Sequence, residues 1–377
     1  MKNLRRGARS PVAVEAWVAL AALSICSVHA APSSAAGTGH RHAPSQHGSK
    51  STKAAEAATP AYGQREDVLR FAVELAERRG IDRGWIELQL AQARLQPGVQ
   101  RAVMPPPVGS AKNWAAYRAR FVEPQRIGAG LAFWRANRAD LERAEALYGV
   151  PAEIVVGIVG VETFYGRMTG HYRAIDALAT LAFDFPSGRK DRSAYFRSEL
   201  EELLARAWRE GSDPSALKSS FAGAIGLPQF MPGSIGRYAV DFDGDGRIDL
   251  LGSAADAIGS VAHYLAEFGW RRGAATHFAI AAPVEAADRA VLLVPDILPS
   301  FSPAQLAERG AELAPEGQGH SGLLALVELQ NGERAPSYIA GTQNFYAITR
   351  YNESSYYALA VVELGQAVRQ RVLATRP

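Results

Sequence analysis

Apolar positions recur three and four residues apart through most of this chain, a period that predicts helices. From about residue 65 to 148, Val68, Phe71, Ala72 and Leu75 set the pattern, with breaks at Gly80, Met104-Pro105-Pro106-Pro107 and Gly149. Trp114, Tyr117, Phe121, Ile127, Leu131, Phe133 and Trp134 read as core positions of these helices, leaving an aromatic or two to line a sugar groove. The helical period returns at 177–181, 195–208, 256–268 and 358–372. Between about 283 and 341 the character changes. There "LLALVELQNGERAPSYIAG" sets Asn331-Gly332 between two apolar runs, a hairpin signal, and a small β-rich insertion is expected in a mainly α chain of the α+β type. No internal repeat of fixed period is visible.

Of the 377 residues, 47% are apolar, enough for a sizeable core and for two or three domains. Residues 1–30 read as a secretory signal: Lys2, Arg5, Arg6 and Arg9, an apolar run from Val18 to Cys26, then Val28-His29-Ala30. That run is shorter than the about 20 residues a bilayer requires, and no later segment qualifies. Cys26 is the single cysteine, so cleavage after Ala30 leaves no thiol, disulfide or cysteine metal site. Leu23-Ser24-Ile25-Cys26 resembles a lipobox, but Ile25 occupies a small-residue position, which favours free export over a lipid anchor. Removing the signal takes away four basic residues and Glu15, and the formal charge falls from +3 to about zero. A nucleic-acid partner then lacks electrostatic support. Residues 31–62 are small and polar and read as a disordered linker; His40, His42 and His47 there lack a scaffold that would hold a metal.

Two stretches carry chemistry. In "YGVPAEIVVGIVGVETFYGRMTG", Pro151 suits a helix start and Ile154, Val155, Ile158 and Val161 mark an apolar face. Glu162 follows Ile158 by four and Ile154 by eight, so it projects from that same face. Burial there would raise its pKa, as a general acid working near neutral pH requires. Gly157 and Gly160 allow a second element or a ligand to come close. The alternative is a structural glutamate paired with Arg167 or Arg173, against which stands the helix macrodipole, unfavourable to a carboxylate at a C-terminus.

The second stretch, "DFDGDGRID", matches the opening of an EF-hand loop, with Asp241, Asp243 and Asp245 at alternate positions before Gly246. Arg247 would offer its backbone carbonyl and Asp249 occupies the ninth position, while Gly252 replaces the usual closing glutamate. Asp256 is then the nearest closing ligand. All-oxygen acidic ligation suits Ca2+, with sodium and magnesium as the other candidates, and a lone loop suggests a structural clamp.

These stretches, together with "DALATLAFDFP", "SFAGAIGLPQFMPGSIGRYAVDFDGDG" and "QNFYAITRYNESSYYALAV", resemble the B-type lytic murein transglycosylases of glycoside hydrolase family 103. The resemblance implies a lysozyme-like helical catalytic core at 151–282, a helical domain at 63–150, a small β-rich domain at 283–341 and a C-terminal return to the core at 342–377. It also implies a periplasmic enzyme that cleaves the β-1,4 bond between N-acetylmuramic acid and N-acetylglucosamine without water, leaving 1,6-anhydromuramyl ends. Glu162 matches the family's catalytic glutamate, and Ser220, Gln229, Tyr351, Asn352 and Tyr357 match glycan-holding positions. Arg192 matches less closely, because "SGRKD" is longer than the family's segment. No organic cofactor is implied; the partners are peptidoglycan strands and other cell-wall enzymes, met by a monomer. A hydrolysing muramidase and a non-catalytic, calcium-stabilised peptidoglycan-binding protein are the alternative readings.

Overall fold

The computed structural model describes residues 62–105 and 112–375. The signal peptide, Cys26, the three linker histidines and most of the linker lie outside the described residues. Helices dominate, as the apolar period requires, and they gather around Ala152–Thr163. Every residue from Ile154 to Val161 is buried, so this helix is apolar on all sides and forms the centre of the fold. Each of its valines and isoleucines contributes about 1.5–3 kcal/mol by leaving water.

The C-terminal helix, Ser355–Ala374, lies along it. A Cβ on Gly157 would sit 2.2 Å from the Val361 carbonyl oxygen, and one on Gly365 would sit 2.0 Å from that of Glu153. The two backbones therefore touch directly, and no larger residue fits at either glycine without moving them apart. Around this pair pack Pro124–Ala136, Arg138–Tyr148 and Ala254–Glu267, while Ala174–Phe183 and Ser193–Glu210 pack on one another and join the same core.

The helices of 63–150 share one continuous apolar core with those that follow. Tyr62, assigned to the linker by composition, is instead buried in that core against Phe183, at 5.8 Å between ring centroids. Its polar, small-residue neighbours masked an anchoring aromatic.

Four antiparallel strands form the β-rich part, in the order Glu312–Leu313, His277–Ala281, Arg334–Gly341, Ala325–Asn331. The sheet thus starts six residues before the expected boundary at 283. Asn331 and Arg334 pair across the hairpin, and Gly332 takes the positive φ of 67° that the turn needs. Along the first hairpin strand, Ala325, Val327 and Leu329 face the main core while Leu326 faces a second cluster with Ile280, Leu292, Leu306 and Ala340. Burial of both faces explains why this strand reads as a nearly unbroken apolar run rather than an alternating one. Among the described residues no single helix is long and apolar enough to cross a membrane.

Candidate active site

The central helix ends abruptly. Phe164 and Tyr165 both take left-handed backbone angles, φ 51° and 58°, and their N–H groups donate back to Gly160 and Val159 carbonyls. Two successive non-glycine residues in that region are uncommon and mark a constrained helix end. Thr163 fixes the same turn, its hydroxyl donating to the Leu227 carbonyl at 2.9 Å and accepting from Gly166 N–H. Glu162 is held immediately before this stop.

Around its carboxyl stand four tyrosines. The Tyr357 hydroxyl donates to Glu162 Oε1 at 2.7 Å, an approach made possible by the glycine contacts between the two helices. Tyr351 stacks on Tyr357 with centroids 6.3 Å apart and donates its hydroxyl to the Pro228 carbonyl. Tyr264 lies edge-on to Tyr351 at 4.9 Å and donates to the Arg350 carbonyl. Tyr117 completes the group; burial and the nearby Glu162 charge push its hydroxyl pKa upward, as they do for Tyr351 and Tyr357.

Glu162 as a residue is half-buried. The surrounding rings nevertheless desolvate it, raising its pKa from 4.5 to about 7, while the Tyr357 hydrogen bond works in the opposite direction. The suggested ion pairs are not made. Arg173 binds Asp176 at 2.6 Å, and Arg167 lies over the Phe164 ring at 4.9 Å.

The positions matched to glycan contacts divide into two sets. Tyr351, Tyr357 and Gln229 are buried, so the first two support the carboxyl with hydroxyls already engaged. Gln229 sits at φ 51° and donates its amide to the Gly226 and Thr169 carbonyls, bracing the "GLPQF" segment. Ser220, Asn352 and Arg192 keep accessible surface and remain able to meet a ligand. Ser220 is brought in by the two-stranded pairing of Tyr172–Arg173 with Lys218–Ser219, and its hydroxyl accepts from Ala224 N–H. Arg192 stacks over Tyr195 at 4.8 Å. Tyr264 was missed by sequence reasoning, and Tyr117 was read among the core aromatics without a link to Glu162. Each lies in an ordinary amphipathic helix, and nothing local distinguishes a tyrosine that meets Glu162 from one that merely fills the core.

In the acidic loop, carboxylate oxygens of Asp241, Asp243 and Asp256 lie within 4.8 Å of one another. Asp256 is buried and accepts from the N–H groups of Phe242, Asp243 and Asp249. Asp241 accepts from Gly244, Asp245 and Gly246, and Asp243 from the Ser253 hydroxyl at 2.6 Å. The carboxylates of Asp245 and Asp249 are not gathered with them. Asp245 accepts from Arg247 N–H, and Asp249 turns to Leu251 and Gly252, so each carboxylate closes a local turn. Three converging carboxylates, all hard oxygen donors, fit a divalent cation such as calcium.

A family model described as "Transglycosylase SLT domain" matches residues 63–366. The chain is 41% identical over 308 residues to membrane-bound lytic murein transglycosylase B of Escherichia coli (strain K12), covering 79% of this chain and 81% of that protein. Among solved structures, catenated lytic transglycosylase SltB1 from Pseudomonas aeruginosa superposes with a TM-score of 0.75 at 37% identity, covering 82% of this chain and 99% of that one. The Escherichia coli lytic transglycosylase Slt35 in complex with calcium gives 0.72 at 39% identity, covering 82% and 94%. The family model across residues 63–366 and the 41% identity to an Escherichia coli relative, set in this shared fold, place the chain in the lytic murein transglycosylase family.

Proposed function

We propose that Glu162 is the single catalytic carboxyl with which this lytic transglycosylase cleaves the β-1,4 bond between N-acetylmuramic acid and N-acetylglucosamine in peptidoglycan. The observation that carries the reading is its desolvated setting: a pKa near 7 keeps a proton available at neutral pH, and no second carboxylate among the described residues contributes to that shift. Ordinary glycosidases need two carboxyl groups, one to protonate the leaving oxygen and one to attack or to activate water. Here Glu162 donates its proton to the glycosidic oxygen as the C1–O bond breaks. The substrate's 2-acetamido oxygen closes onto C1 and takes the positive charge. Glu162, now a carboxylate, removes the C6 hydroxyl proton, and O6 displaces the acetamido oxygen from C1. The products are a free 4-hydroxyl and a 1,6-anhydro end, no water is consumed, and the proton is back on Glu162.

Tyr357 steadies the carboxylate stage by its hydrogen bond, while Ser220, Asn352 and Arg192 supply the accessible polar groups suited to sugar hydroxyls and amides. Calcium at Asp241, Asp243 and Asp256 belongs to the same reading, supported by the converging carboxylates and the calcium complex of the relative. Its effect is structural, because Asp256 begins the helix that carries Tyr264. The basic, then apolar, N-terminal segment supports export to the cell envelope. Mass spectrometry of purified peptidoglycan digested by the enzyme is the test. Fragments lighter by one water than reducing-end muropeptides are expected, and reducing ends alone would replace this reading by hydrolysis.

A further inference from the structure

A buried cation grips the last turn of the central helix. Arg126, from the helix Pro124–Ala136, donates from Nη1 to the Gly160 carbonyl oxygen at 2.6 Å. Its guanidinium lies 4.5 Å from the centroid of Phe164 and 5.3 Å from that of Phe121. The side chain is only 13% exposed, and the nearest carboxylate, Glu123, stands at 4.0 Å and also caps the arginine's own helix. Burial draws the guanidinium's pKa down, so a charge is being kept where solvation opposes it. Arg126 Nε and the Tyr165 hydroxyl are buried without a hydrogen-bond partner among the described residues. The Tyr165 hydroxyl is wedged where a Cβ on Gly130 or Gly160 would lie 2.4 or 2.5 Å away.

The contacts made by Arg126 are placed with respect to Glu162. Gly160 is two residues before it and Phe164 two residues after it, so the guanidinium holds the backbone on one side of Glu162 and a side-chain ring on the other. The Gly160 carbonyl already accepts from the Phe164 N–H, so Arg126 adds a second, charged donor at the helix end, where a cation offsets the negative end of the macrodipole. Salt-bridge strength does not explain the placement, because the Glu123 contact is long.

We infer that Arg126 is a positioning residue for the transglycosylase reaction, clamping the Gly160–Phe164 turn so that the Glu162 carboxyl stays among Tyr117, Tyr264, Tyr351 and Tyr357. The inference rests on the acid–base role of Glu162. A released turn lets the carboxyl rotate toward water and lose both its aim and its desolvation.

Turnover on purified peptidoglycan, followed through anhydro-end release as a function of pH, tests it in the full-length enzyme. For Arg126→Met the expected result is a kcat lower by about 10- to 100-fold, the scale of a misplaced catalytic group, with KM within about twofold. The descending limb of the pH profile should move to lower pH, because a hydrated Glu162 ionises earlier. Arg126→Lys, which keeps a cation and one donor, should return the limb to the wild-type position and recover most of kcat. A Met variant that melts earlier but retains the wild-type limb and kcat would show a structural arginine and overturn the inference. Should Arg126→Met not fold, Phe164→Leu removes the ring beneath the guanidinium and leaves the hydrogen bond possible. It should move the limb in the same direction by less, and an unmoved limb rejects the clamp. Wild-type enzyme that yields no anhydro ends would instead fail the proposed function, an outcome separate from any behaviour of Arg126.

Discussion

Glu162 and Asp256 are both carboxyl groups in the interior of this protein, but their hydrogen bonding differs sharply. Asp256 accepts three main-chain N–H groups and ties both sides of a loop to the start of a helix. Glu162 accepts one tyrosine hydroxyl and is otherwise ringed by aromatic surface. A carboxyl saturated with donors fixes structure; one starved of them keeps proton affinity for chemistry. Neighbouring Asp243 follows the first pattern, since the Ser253 hydroxyl holds its pKa below the usual range.

The strongest way to break the comparison is Glu162→Gln. Loss of a general acid and base lowers turnover by about 10²–10⁴-fold or more, and unchanged anhydro-end release would remove the catalytic assignment. Stability should move the other way. Because the folded pKa of about 7 exceeds the unfolded value of 4.5, the folded state binds more protons between those limits, and the wild type loses stability as pH rises through them. The Gln variant escapes that loss. Its stability should gain on the wild type's by on the order of 3 kcal/mol at pH 8, read as a higher melting temperature, and the gain should close near pH 4.5. A gap that does not vary with pH would contradict the desolvated state of Glu162.

Separating the two helices is the next largest disturbance. In Gly157→Ala the new methyl meets the Val361 carbonyl, so the helices must shift and the Tyr357–Glu162 bond lengthens. A destabilisation of about 1–3 kcal/mol is expected, with a fall in kcat that thermal unfolding at the assay temperature does not account for. Wild-type melting and turnover would mean the close approach is unimportant. Tyr357→Phe sharpens the point more gently. That hydroxyl favours the ionised carboxylate, so its removal should shift the descending limb of the pH profile to higher pH. A limb displaced to lower pH would assign Tyr357 the opposite effect.

How much of this was legible in the sequence depends on range. Glu162, the hairpin at Asn331-Gly332 and the Asp241 loop rest on residues close together in the chain, and each is found where period, turn chemistry or spacing placed it. The four-tyrosine ring draws on positions 117, 264, 351 and 357, joined only by packing, and no periodicity signals that Tyr117 and Tyr264 converge on one carboxyl. The strand His277–Ala281 was hidden for a related reason: its partner Arg334–Gly341 lies far along the chain, and its own residues alternate weakly. In the loop, ligand spacing predicted six donors, but local Asx turns compete for Asp245 and Asp249, and only the folded backbone decides that competition.

The acidic loop offers the smallest and most selective test. An ion that binds the folded chain and not the unfolded one stabilises by about 2.7 kcal/mol when present at one hundred times its dissociation constant, which in a chain of this size is a few degrees of melting temperature. Chelation should therefore lower the melting temperature by that amount, and Asp241→Asn should abolish the response by removing one of three converging carboxylates. Turnover well below the melting range should change little, because the loop reaches the site indirectly, through the helix Ala254–Glu267 that bears Tyr264 and through the Leu250 carbonyl that accepts from Leu227 N–H. If chelation instead abolished turnover while leaving the melting temperature unchanged, the acidic loop would belong with Glu162 in the chemistry, and the division between a carboxyl that builds and one that reacts would fail.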